Sequence, residues 1–161
     1  MSRIVCNSGP LIALGLLDRL DLLKELFGEV LVPEAVQREV ETGGTADIGL
    51  RAFRAATWLR VLPLKNHDPL LESLLDAGEA AVITLAREQA VNLVLIDERK
   101  ARKVARNIHG LQVIGTARVL VEAKKKSLLT AVRPELEKLR QHGYWIDDSI
   151  VAAALSEAGE K

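Results

Sequence analysis

The chain has 161 residues, with 22 basic side chains balanced by 22 acidic ones, 48% apolar residues and only 3% aromatic ones. Zero net charge removes any whole-molecule attraction to polyanions, so a nucleic-acid partner must be met by local basic patches. The length suits one domain, residues 1–161, whose core must be built from Leu, Val, Ile and Ala. No window of about 18 apolar residues exists, so no transmembrane helix is expected. Cys6 has no partner for an intrachain disulfide and reads as a buried, inert thiol. Met1 to Leu17 has the outline of a signal peptide, but Asn7, Ser8, Gly9 and Pro10 interrupt it. The expected setting is the cytoplasm.

Taken in order, Ile4, Val5 and Cys6 predict a first short buried strand, after which Ser8 is placed to cap a helix and Pro10 fits its first turn. Leu11 to Leu17 continue that helix, and Asp18 is expected to start another, which Gly28 ends. Val30 to Val32 predict a second strand, and Pro33 opens a helix carrying Val36, Glu39 and Val40. Thr42-Gly43-Gly44 is the best candidate for a mobile loop. A helix over residues 48–56 leads to Trp58–Leu62, which ends at Pro63 and reads as a sheet edge. Further helices are predicted from Asp68-Pro69, over residues 80–89, over 116–126, and in two closing segments at about 134–142 and 148–158. Strands alternating with helices predict a parallel sheet covered on both faces.

The organising stretch is NLVLIDERKARKVARN, Asn92 to Asn107. Leu93 to Ile96 form an unbroken apolar run, and the pattern then turns helical with Ala101, Val104 and Ala105 on one side. Asp97 is thereby placed at the carboxyl end of a central strand, where open α/β sheets hold their ligand groups. Arg99, Lys100, Arg102, Lys103 and Arg106 follow it. Asn7 follows the first strand as Asp97 follows the fourth, so both are expected at the same sheet edge. Glu79 shares a helical face with Val82, Ile83 and Ala86, and a carboxylate leading a buried stripe needs a partner. Each residue also has a plainer reading: Glu39 as a surface acid, Glu79 as a first-turn acid, Asp97 as a cap, Asn7 as a turn residue, the basic run as a solvated face.

The segment IVCNSGPLIALGLLDRLDLLKELFGEVLVPEAVQREV, with LDAGEAAVITLA and LVLIDERKARKVA, resembles the PIN-domain superfamily in its VapC-like branch. The likeness runs from about Ile4 to Ala123. It implies a three-layer α/β/α sandwich with a mostly parallel sheet of about five strands, and an acidic pocket for Mg²⁺ or Mn²⁺. It also implies an RNA-cleaving toxin, a small antitoxin partner and a homodimer. Carried over residue by residue, the metal ligands would be Asn7, Glu39, Glu79 and Asp97, with Glu39, Glu79 and Asp97 catalytic. Ser8 resembles the small hydroxyl residue beside the first acid. Hard oxygen ligands of this kind suit Mg²⁺, and Arg99, Lys100 and Lys103 are placed to hold RNA phosphates.

Asn7 departs from the family pattern, which commonly puts Asp there, although some members carry Asn. Two functions therefore stand side by side: a metal-dependent endoribonuclease, and a PIN-like module that binds RNA or protein without cutting. A dinucleotide-binding or receiver-type domain fits less well, because no G-x-G-x-x-G follows a strand. His67, His109 and His142 are too scattered for a zinc site. Tyr144 and Trp145 collect much of a small aromatic set and are expected to pack over the sheet or form an interface.

Overall fold

The computed structural model describes residues 2–42 and 47–161, so Gly43 and Gly44 of the expected loop lie outside it. Five strands form one sheet: β1 (Arg3–Cys6), β2 (Glu29–Pro33), β3 (Arg60–Leu62), β4 (Leu93–Leu95) and β5 (Gln112–Ile114). Their order is β3-β2-β1-β4-β5 and every pairing is parallel. Residues Ile4 to Cys6, Val30 to Val32, and Val94 and Leu95 are buried, which is why these strands read as unbroken apolar runs. β3 is one edge, opposite β5, and its Arg60 is exposed.

The connections are helical. α1 (Ser8–Leu16) and α2 (Asp21–Leu26) join β1 to β2, and α3 (Glu34–Thr42) and α4 (Asp47–Ala55) join β2 to β3. α5 (Pro69–Leu74) and α6 (Ala77–Glu88) cross from β3 to β4. α7 (Arg99–Lys103) runs into one π-helical turn, Val104–Ile108, before β5. α8 (Thr116–Lys125), α9 (Arg133–Gln141) and α10 (Asp148–Glu157) close the chain. α6 packs on β1, β2 and β4, while α8 packs against α1, α2 and α10. None of the described helices is long and apolar enough to cross a membrane.

Three local expectations are corrected. The helix expected from Asp18 begins only at Asp21, because Asp18 takes a left-handed conformation (φ 55°) and ends α1 instead. The cap of α1 is Asn7 rather than Ser8, and its side chain makes no capping hydrogen bond. Asp76 caps α6, whose first turn includes Gly78 and Glu79, so that helix starts three residues before the expected Ala80. The sheet order reverses between β1 and β4, and the carboxyl ends of those two strands therefore face the crevice that α/β sheets use for ligands.

Candidate metal and substrate site

Asn7 leaves β1 at this crevice, and its backbone N–H donates to Leu95 O at 3.0 Å, tying it to β4. Asp97 follows β4. Asn7, Ser8, Asp76, Glu79, Asp97 and Tyr144 line a shared cavity of about 330 Å³. Glu39 projects from α3 toward the first turn of α6. A Cβ at Gly78 would collide with its carboxylate, so the glycine leaves the space that Glu39 fills.

Two oxygens here are orphaned. Asn7 Oδ1 and Glu39 Oε1 are buried, and neither has a hydrogen-bond partner among the described residues. Buried polar atoms of that kind are uncommon and costly. Burial raises the Glu39 carboxyl above its ordinary range, Asp76 adds to the rise, and the Ser8 hydroxyl opposes it. Glu79 is only 8% exposed. Burial, followed by the charge of Asp76 and smaller contributions from Glu98 and Glu39, pushes it up to about 7. Its other role is local: it completes a capping box with Asp76, each side chain bonding the other residue's backbone N–H at 3.2 and 2.8 Å. The first-turn reading of Glu79 is thus correct.

Asp97 is held differently. Oδ1 accepts from Thr116 N at 2.8 Å, and Oδ2 accepts from Thr116 Oγ1 at 2.6 Å and from the Tyr144 hydroxyl. Burial and the adjacent Asp97 charge raise the Tyr144 phenol far above its usual range, which keeps it a donor. The cap of α7 is Glu98, whose carboxylate accepts from Lys100 N and Ala101 N, so Asp97 is free of that duty. An ionised carboxylate offers about four acceptor positions, and Asp97 keeps one open after these three bonds.

A divalent hard cation fits this donor set. Asn7, Glu79 and Asp97 line the cavity and would supply an amide oxygen and two carboxylates, whereas Glu39 is not among its lining residues and its Oε1 sits against Gly78. Mg²⁺ keeps several waters and commonly takes only one or two carboxylates from a protein. Among the described residues, no three His, Cys, Asp or Glu side chains form a ready-made metal cluster. The set at hand is mixed, with an amide in one position.

The three cations expected to hold phosphate separate. Arg99 lines a larger neighbouring cavity and lies 3.8 Å from Asp147, whereas Lys100 and Lys103 are exposed and line neither cavity. Arg102 and Arg106 line the larger cavity instead. Arg102 Nη1 donates to Ile96 O at 2.8 Å, which anchors its guanidinium close to Asp97. Sequence reasoning passed over Asp76, Thr116 and Tyr144 as site residues. Asp76 could have been found from its capping-box spacing to Glu79, whereas the contact of Tyr144 with Asp97 leaves no local spacing to detect.

The chain matches a family model described as a PIN domain (DUF3368) over residues 3–160. No curated protein matches it. PIN domains are generally nucleases. With a match that spans nearly the whole sequence and an all-parallel five-stranded sheet of the corresponding kind, the chain belongs to the PIN-domain family.

Proposed function

We propose that the protein is a metal-dependent endoribonuclease, with Asn7, Glu39, Glu79 and Asp97 holding Mg²⁺ or Mn²⁺. The observation that carries this reading is the buried, unpartnered Asn7 Oδ1 in a cavity it shares with Glu79 and Asp97 at the sheet's switch point, with the orphaned Glu39 Oε1 packed behind it against Gly78. When bound, the metal would lower the pKa of a water and offset charge on the phosphodiester being cut. The chain's own residues do the rest. Thr116 and Tyr144 fix the orientation of Asp97. Glu79, which burial holds near neutrality in the metal-free site, would give up its proton as the cation binds. Arg102, anchored on Ile96 O, offers a fixed cation next to Asp97.

The test is cleavage of a mixed RNA pool with Mg²⁺ or Mn²⁺ by the parent, Asp97→Asn and Glu79→Gln. Cleavage lost in both variants is expected; variants that cut as well as the parent would refute the site. The VapC-like toxin role, with a small antitoxin and a dimeric state, is supported by the sequence blocks quoted above. It predicts growth arrest on expression that Asp97→Asn relieves.

Asn7 favours a second reading, a binding module with a weakened metal site, since the amide removes one negative charge. Under that reading the parent does not cut RNA and Asn7→Asp gains activity.

A further inference from the structure

The larger cavity, of about 600 Å³, falls within the range of small-ligand pockets. It lies between the π turn after α7, β5, α8 and α10, and shares Asp97 and Trp145 with the smaller cavity. Its floor is apolar, formed by residues such as Ile114, Ile146 and Ala154. Its acids are largely spoken for: Asp147 faces Arg99 at 3.8 Å, and Glu157 pairs with Arg118. Its inner cations are not. Arg102 is half-buried, and burial followed by repulsion from Arg106 lowers its pKa. Among the described residues Arg106 has no salt bridge. Asp97 offsets part of the Arg102 charge, and the exposed Arg106 beside it leaves a cationic position open to an anion.

Trp145 stands at the junction of both cavities and is 71% exposed. The Arg140 guanidinium lies 5.3 Å from its ring centroid, which steadies the indole without covering it. A large aromatic left in water at such a junction is unusual for packing and well suited to stacking.

We infer that this groove binds one nucleotide of single-stranded RNA flanking the cleaved bond, with its base stacked on Trp145 and its phosphate between Arg102 and Arg106. The inference rests on the ribonuclease reading for the identity of the strand. Its physical basis is separate: exposed aromatic rings take any base by its π-face, and neighbouring cations track the backbone. The π turn matters because it carries Arg106, and such turns are often found at functional sites. Paired acids and unpaired arginines favour a polyanion over a peptide in this groove.

The experiment uses the full chain in EDTA, where the metal cannot drive cleavage, and a labelled ten-nucleotide RNA of mixed sequence. Anisotropy reports binding. Intrinsic fluorescence reports stacking, since Trp58 and Trp145 are the only tryptophans. RNA should quench the parent's emission. Trp145→Phe should bind within about threefold and lose the quenching, while Trp145→Ala should bind about tenfold or more weakly. Arg106→Gln should lower the slope of log affinity against log salt by roughly 0.7. RNA binding untouched by Trp145→Ala and Arg106→Gln would overturn the inference, as would a dimer that Trp145→Ala converts to monomer. A parent that quenches but never cuts RNA with Mg²⁺ or Mn²⁺ upholds the groove and refutes the nuclease. A parent that cuts RNA while Trp145→Ala leaves KM and binding unchanged does the reverse.

Discussion

Gly115→Ala is the sharpest test of how Asp97 is seated. A Cβ built on Gly115 lies 2.7 Å from Asp97 Oδ1 and 3.0 Å from Arg102 Nη1. Ordinary carbon–oxygen approaches are roughly 3.3–3.6 Å, so the carboxylate must retreat by roughly 0.6–0.9 Å. A retreat along the line of that clash pulls Oδ1 from Thr116 N, now at 2.8 Å, and drags Oδ2 away from Thr116 Oγ1 and the Tyr144 hydroxyl. The backbone of Gly115 itself has φ −115°, which alanine adopts freely, so the effect is steric and not conformational. Each hydrogen bond to a charged group contributes roughly 1.5–3 kcal/mol. Losing one or two, with water partly replacing them at the half-buried Asp97, amounts to about 2–4 kcal/mol. Urea denaturation by linear extrapolation reads this directly. Tyr144→Phe provides the second edge of a cycle: costly in the parent, it should cost little once Gly115→Ala has displaced Asp97. A Gly115→Ala protein within about 0.5 kcal/mol of the parent, or fully additive with Tyr144→Phe, would refute the three-bond seat. RNA cleavage should fall with the same displacement.

Three further outcomes follow from the geometry. Glu79 binds its proton more tightly folded, at about 7 against an ordinary 4.5, so its ionised form burdens the metal-free fold fully above about pH 7 and not at all below about 4.5. Glu79→Gln should therefore raise the melting temperature in EDTA at pH 8 by several degrees, on the order of 2–3 kcal/mol, and leave it unchanged at pH 4. Glu160 behaves in the opposite sense: burial opposes ionisation, but Val132 N, Arg133 N and Lys124 outweigh it and hold the carboxyl at about 2. Its contribution is present above about pH 4.5 and lost as pH falls through about 2, so Glu160→Gln should flatten the acid limb of a stability–pH curve. Gly78→Ala should evict Glu39 and weaken Mn²⁺ binding, read by calorimetry, while changing stability by less than about 1 kcal/mol because alanine suits the helix.

The sheet was legible because its central strands are buried on both faces. Val30 to Val32 and Leu93 to Ile96 have no polar side to confuse their period. The ends of β1 and β4 placed Asn7 and Asp97 at one edge for the same reason. What escaped was whatever depends on a single backbone angle or a distant contact. Asp18 reads as a helix opener, yet its φ of 55° closes α1. The seat of Asp97 joins residues 97, 116 and 144, and no periodicity links a strand end to the loop before α10. Arg102 and Arg106 were visible as charges, but choosing them over Lys100 and Lys103 requires the helix phase at α7 and the π turn beyond it.

The capping box and the metal site compete to explain the same acids, and they differ in what they leave over. A capping box accounts for Asp76 and for Glu79 at the third position of α6, both of which bond the helix start. It has no use for a second, partly buried carboxylate, yet Glu39 lies close enough to help raise the pKa of Glu79. It says nothing of Asn7, which stands at a helix start with no capping bond while its Oδ1 is sealed from water. A chain under selection only for stability has simple remedies: a serine cap at 7, a glutamine at 39. Retaining oxygens that each cost roughly 1–3 kcal/mol is understandable when a bound cation repays them. That is why Mn²⁺ binding, rather than RNA cleavage, separates the two accounts first. The capping box predicts no affinity and no change on Glu39→Gln. The metal site predicts binding that Glu39→Gln and Glu79→Gln each weaken, with Asn7→Asp strengthening it by adding the charge the amide lacks.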